Sequence, residues 1–168
     1  PAIGRHRTGG AHDGTLVAMD LEVVLAGGAY RTPSPVVLSR AVLHATGPYR
    51  CPNVRVRGRV LMTHTAPNGA FRGFGAPQVA FAAERQMDRI GRRLGLDPFA
   101  IRARTVAGPG DSLATGQVLR ADASARLCLE TVEARTGFRA RWQELERARC
   151  VDTEGAPRRG IGLSLYMH

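Results

Sequence analysis

The chain has 168 residues, of which 43% are hydrophobic and 23% charged, enough apolar material for the core of one domain or two small ones. No apolar run approaches the ~20 residues a membrane helix needs, and the opening PAIGRHRTGG lacks the apolar middle of a secretory leader. The net charge of +10 invites a nucleic-acid partner, yet all 24 cations are arginine and they are dispersed, a bias of composition and not a phosphate-binding surface.

Cys51, Cys128 and Cys150 are odd in number and lack CxxC spacing, which argues against a disulfide framework or a zinc knuckle and for reduced thiols in a cytoplasmic protein. The five histidines show no metal-ligand spacing. There is no initiating Met, and the chain closes on IGLSLYMH, which reads as a strand still in progress. An internal piece of a longer polypeptide is the expectation.

In chain order, residues 15–25 come first. Val17, Met19, Leu21 and Val23 alternate with Asp20 and Glu22, the period of a strand covered on one face, and Asp13-Gly14 before it suits a hairpin turn. Gly27 and Gly28 end that strand. Residues 36–46 read as a short helix, with Ser34 as N-cap and Pro35 at its first position. A second strand spans 54–65, with Val54, Val56, Val60 and Met62 on one face and Arg55, Arg57 and Arg59 on the other. A helix over 77–94 follows from Ala80, Ala83, Met87, Ile90 and Leu94 at three- and four-residue steps, closed by Gly95. Asp97-Pro98 opens another helix, 122–136 and 139–149 are helical, and 159–166 reads as a strand. Mixed order without a βαβ repeat predicts an α+β fold, with residues 1–168 forming part of one domain and a sub-boundary near 107–115.

Between the second strand and the 77–94 helix lies NGAFRGFGAPQ, residues 68–78. It is not a nucleotide loop: Gln78 stands where GxGxxG needs its third glycine, and no Lys-Ser/Thr follows. Arg72-Gly73-Phe74-Gly75 matches the start of an RNA-recognition strand, but Pro77 cannot donate to a central ladder. Two readings stay open from the residues alone. In one, Phe71 and Phe74 are core residues of a strand-to-helix connection. In the other, the glycines let backbone approach a ligand while the following helix aims its positive end at an anionic cofactor.

The run PNGAFRGFGAPQ resembles the molybdenum-cofactor-binding subunit of the xanthine dehydrogenase and aldehyde oxidase family. The resemblance extends in register through DGTLVAMDLEVVLAGGAY, VVLSRAVLHATGPYRCPNVRVRGR, GLDPFAIR and RRGIGLSLYMH, so it covers essentially the whole chain. It implies a fragment of the molybdopterin-binding domain of a molybdenum hydroxylase that oxidises a purine with water as oxygen donor. Another aza-heterocycle or an aldehyde is the alternative substrate, and a basic nucleic-acid-binding domain the alternative of another class. It also implies that Ala70, Phe71, Arg72 and Gly73 pass beside the cofactor, with Arg72 next to the molybdenum, and that Phe74 stacks on the substrate ring. Arg40 falls where xanthine-oxidising members carry a purine-binding catalytic arginine. Hydroxylation builds negative charge on the ring, which an aimed guanidinium stabilises.

Position 39 departs from the pattern, being serine where many xanthine enzymes have glutamate. The family's catalytic glutamate, its second substrate glutamate and the glutamine near the metal fall outside these residues. The resemblance also implies iron–sulfur clusters and FAD on partner domains or subunits of an oligomeric parent, with neither nucleic acid nor membrane expected as a partner. The fragment alone is expected to hold no cofactor and to be inactive.

Overall fold

The structure, a computed structural model, describes residues 1–149 and 159–167. Strands β1 (Ala2–Gly10), β2 (Leu16–Gly28) and β3 (Asn53–Met62) form one sheet in the order β1-β2-β3. β1 runs antiparallel to β2, whereas β3 is parallel to it, because helix α1 (Ser34–His44) carries the chain back across the sheet. Helices α2 (Ala76–Arg93), α3 (Pro98–Thr105), α4 (Ala125–Thr136) and α5 (Phe138–Arg149) follow. The architecture is α+β, as the mixed order of elements predicts, with one β-α-β crossover inside it.

The turn after β1 is held as the Asp13-Gly14 pair suggests. The Asp13 carboxylate accepts the Thr15 N–H at 2.8 Å, and the Gly14 N–H donates to the Ala11 carbonyl at 3.0 Å. β1 itself has no apolar alternation to announce it. Its sequence AIGRHRTGG becomes a strand because β2 offers a ladder, pairing Arg5 with Glu22 and Arg7 with Asp20.

Met19, Leu21, Val23 and Leu25 turn into the core against Val37, Ala41, Val79 and Met87 of α1 and α2. At ~25 cal/mol per Å² of apolar surface, this is the main stabilising term. Val17, expected on that face, is exposed. The register slips between Gly9 and Gly10, so the β2 strand carries an extra residue and Leu16 is buried in its place. Met62 also lies outside its expected face, 76% exposed at the strand's end. On the outer face, Arg55 and Arg59 of β3 bind Asp20 and Glu22 of β2 at 2.8 and 2.5 Å. Arg5 of β1 closes on Glu22 at 3.1 Å. The arginine row of β3 is therefore a sheet ladder that holds Asp20 and Glu22 below the usual carboxylate range, through hydrogen bonds from Arg55 and Arg59 first.

Under α2 sits a buried polar cluster that composition did not reveal. Arg102 of α3 is 0% exposed. Its Nε donates to Glu84 Oε2 at 2.9 Å, a second guanidinium nitrogen donates to the Pro98 carbonyl, and the charge meets Asp88 at 2.9 Å. The Tyr49 hydroxyl donates to the other Glu84 oxygen. Burial first, then the Glu84 charge, pushes the Tyr49 pKa far above the ordinary tyrosine value. Burial opposes the charge on Arg102, but Tyr49, Glu84 and Asp88 outweigh it and raise its pKa.

The Leu165 N–H reaches the same Glu84 carboxylate at 2.8 Å. That contact explains why 159–167 is not the expected strand: its buried residue finds a side-chain acceptor, and the segment joins no ladder of the sheet. Ser34 also departs from expectation. The N-cap position is Pro33, with no side-chain cap, because the Ser34 hydroxyl is used elsewhere.

Candidate cofactor and substrate site

The hydroxyl of Ser34 donates to the carbonyl of Asn68, as does that of Thr32. Asn68 is the anchor of the glycine-rich loop. Its side-chain amide donates to the Ala26 carbonyl at 3.0 Å and its N–H to the Gly27 carbonyl at 3.0 Å. The loop thus crosses the carboxyl end of β2, next to the end of its parallel neighbour β3. Gly28 makes room for it: at φ +83°, a Cβ there would lie 2.4 Å from the Ala66 carbonyl oxygen. The residues alone assign Asn68 no role. An Asn before the first loop glycine, opposite Gly27-Gly28, is the signal that could have marked it.

From this anchor the loop runs outward. Ala70, Phe71 and Arg72 are exposed, Phe71 by 75%, and Gly73 is half-buried. Gly73, Phe74 and Gly75 then take φ values of +92°, +48° and +90°. Left-handed geometry suits glycine, but for Phe74 it is strained. Phe74 stays 41% exposed, so packing of its ring does not repay that strain. Gly75 presses against α1, where a Cβ would meet the Val37 carbonyl oxygen at 2.4 Å and Ala41 at 3.1 Å. Arg40, half-buried, belongs to this same turn of α1. The structure therefore brings the Arg40 turn and the Phe74 segment together, while Ala70, Phe71 and Arg72 form an open strip beside them.

α2 starts at the end of this loop with Gly75 as N-cap, no side-chain cap and no acidic residue in its first turn. The Ala76 N–H of that first turn donates to the Gly73 carbonyl at 3.1 Å. Ser39 turns its hydroxyl back to the Val36 carbonyl at 2.8 Å.

An open loop at the carboxyl ends of parallel strands, feeding a long helix, defines a ligand-binding module. The chain belongs to the molybdopterin cofactor-binding domain family, whose model matches residues 1–106. It is 42% identical over 113 residues to the nicotinate dehydrogenase large molybdopterin subunit of Eubacterium barkeri, covering 67% of this chain and 27% of that one. It is 32% identical over 157 residues to the xanthine dehydrogenase molybdenum-binding subunit of Escherichia coli O157:H7, covering 93% and 20%. Among solved structures it resembles the aldehyde oxidoreductase from Desulfovibrio gigas, with a TM-score of 0.76 and 30% identity over 91% of this chain and 16% of that one. The chain thus spans between 16% and 27% of the length of these three proteins.

Proposed function

We propose that this chain supplies the substrate-facing loop and part of the cofactor cradle of a molybdenum hydroxylase that oxidises an aza-heterocycle, a purine such as xanthine or hypoxanthine in the first instance. The observation that carries the reading is Phe74, an aromatic residue held at φ +48° between two left-handed glycines and left partly exposed. Backbone strain that packing does not explain clusters at ligand sites.

The residues fit the cofactor. Ala70, Phe71 and Arg72 are exposed and Gly73 is half-buried, a strip to which a large ligand can come close, and the start of α2, without side-chain cap or acidic residue, favours an anionic group such as a pterin phosphate. Arg72, exposed beside Phe71, would neighbour a metal carried by that organic cofactor. Bound there, the cofactor would supply the two-electron oxidation with water as oxygen donor. The chain's own part is to stack the substrate ring on Phe74 and to stabilise, through Arg40, the negative charge that grows on it. Ser39 donates to the Val36 carbonyl of its own helix and, unlike a carboxylate there, brings no negative charge to Arg40. The similarity to a nicotinate dehydrogenase subunit favours, as a second reading, a heteroaromatic acid in place of a purine, with Arg40 on its carboxylate.

The same reading makes residues 1–168 one part of a molybdopterin-binding domain. A sub-boundary near 107–115 is supported by the family match ending at residue 106. The parent enzyme would be cytoplasmic, oligomeric and involved in purine catabolism, with iron–sulfur and flavin modules as partners. No described helix is long and apolar enough to cross a membrane.

Steady-state kinetics of the full-length enzyme on xanthine, nicotinate and an aldehyde tests the reading. Arg40→Met should lower kcat on the preferred heterocycle by roughly a hundred- to a thousand-fold, about 2.7–4 kcal/mol of barrier. Phe74→Ala should raise KM at least as much as it lowers kcat. Near wild-type xanthine and nicotinate turnover in Arg40→Met, with metal content unchanged, would overturn the assignment.

A further inference from the structure

The glycine-rich loop stands on two feet, and both rest on α1. The first is Asn68, whose carbonyl accepts the hydroxyls of Thr32 and Ser34, the latter at 3.0 Å. A carbonyl oxygen has two lone pairs, so these two hydroxyls fill it, and their oxygens lie 2.9 Å apart. The second foot is Gly75, packed against the Val37 carbonyl and the Ala41 side chain.

Between the feet the backbone has little support of its own. The N–H groups of Gly69, Ala70, Phe71, Arg72 and Gly73 donate to no acceptor among the described residues. Turn bonds from the Phe74 N–H to the Phe71 carbonyl, at 2.9 Å, and from the Ala76 N–H to the Gly73 carbonyl hold only the far end. An exposed stretch with few hydrogen bonds is easily displaced, so its course follows its two fixed ends. Ser34, Val37 and Arg40 are spaced three residues apart on α1, about 4.5 Å per step along the axis. One helix therefore carries the first foot, the second foot and the guanidinium in succession. It goes without a side-chain cap, and Ser34, only 6% exposed, commits its hydroxyl to the loop.

We propose that Thr32 and Ser34 are positioning residues for the substrate: by clasping Asn68 to the start of α1, they set the distance between the Phe74 ring and Arg40. The inference rests on the reading of Phe74 as stacking partner and Arg40 as charge stabiliser. Both hydroxyls act through the loop and not on the substrate. With the clasp open, the loop pivots on Gly75 alone, and the ring no longer lies over the position that Arg40 addresses. A clasp that served only stability would change KM by the same factor whether or not the ring is present.

The test uses the full-length enzyme and steady-state kinetics on xanthine and on nicotinate, with rates counted per bound molybdenum. Thr32→Val combined with Ser34→Ala removes both hydroxyls from the Asn68 carbonyl and should raise KM on the better substrate at least tenfold. In a Phe74→Ala background the same pair should change KM less than twofold, because residues that act through one another are not additive. Thr32→Ser, which keeps its hydroxyl, should retain the wild-type KM. Independently of turnover, hydrogen exchange should accelerate at the Asn68 and Phe74 amides of the doubly substituted enzyme, with α2 unchanged. The same KM factor in both backgrounds, or wild-type exchange at those two amides, would overturn the clasp and leave the substrate reading intact. An unchanged KM in Phe74→Ala would overturn the stacking reading and the clasp with it. If the double substitution misfolds, Thr32→Val decides: its Asn68 amide should exchange faster than that of Thr32→Ser, and equal exchange would overturn the proposal.

Discussion

Two regions of this molecule use arginine, an aromatic ring and close packing in opposite ways. In the Tyr49–Glu84–Arg102 cluster, every group is buried and answered: the guanidinium meets two carboxylates and a carbonyl, and the phenol has its acceptor. In the 68–78 loop, the anchoring ends at Asn68 and Gly75, and between them Phe71 and Arg72 are exposed and Phe74 is strained. The first arrangement stabilises the fold. The second is held in shape by the fold and gives little back, as the proposed ligand-facing role would require.

The largest test of this contrast is Arg102→Met. It leaves Glu84 buried without its cation, a change that typically costs about 3–5 kcal/mol. Urea unfolding should register that loss, and a change no larger than a surface substitution would remove the distinction between the two regions. Gly75→Ala should come next. A methyl group forced against the Val37 carbonyl at φ +90° should destabilise by about 1–3 kcal/mol, the range for overpacking, and should displace the loop from α1.

Phe74→Gly sharpens the comparison in the other direction. Relief of a left-handed aromatic residue is worth about 1–2 kcal/mol, offset by roughly 0.5–1 kcal/mol of added chain entropy. Stability should hold or rise slightly while substrate affinity of the full-length enzyme falls. Clear destabilisation by Phe74→Gly would mean that the ring belongs to the core after all.

The smallest effects come from pH and bracket the stable range. Tyr49 has a raised pKa in the fold, from burial first. The unfolded chain therefore releases its proton first, and stability should decline as pH rises past ~10, the ordinary tyrosine value. His6 is shifted the opposite way, its pKa lowered by burial. Stability should be unaffected by His6 above ~6.5 and should decline as pH falls from there toward its folded pKa, since the unfolded chain binds that proton more readily. Unfolding midpoints from pH 5 to 11 check both signs. A His6→Gln variant should lose the acidic decline alone.

What was legible in the residues was periodic or motif-like. The Met19–Val23 face of β2, the α2 helix with its Gly95 stop and the Asp97 cap of α3, which accepts the Ala100 N–H at 2.7 Å, all announce themselves. They depend on neighbours a few positions away, and local spacing records such neighbours. The FRGFG run likewise marked the loop, whereas the seat of Gly75 on Val37 and Ala41 of α1 was set by tertiary packing. The tertiary structure alone decided the rest. β1 is a strand by virtue of its partner, Val17 is expelled by a register slip opposite Gly9 and Gly10, and Ser34 leaves its helix cap for Asn68, 34 residues away. Arg102 lies in the interior because Glu84, Asp88 and Pro98 converge there from two helices. Each of these depends on a hydrogen bond or a charge pair between distant segments, and the free energy of such a contact exists only once the chain has closed the intervening loop.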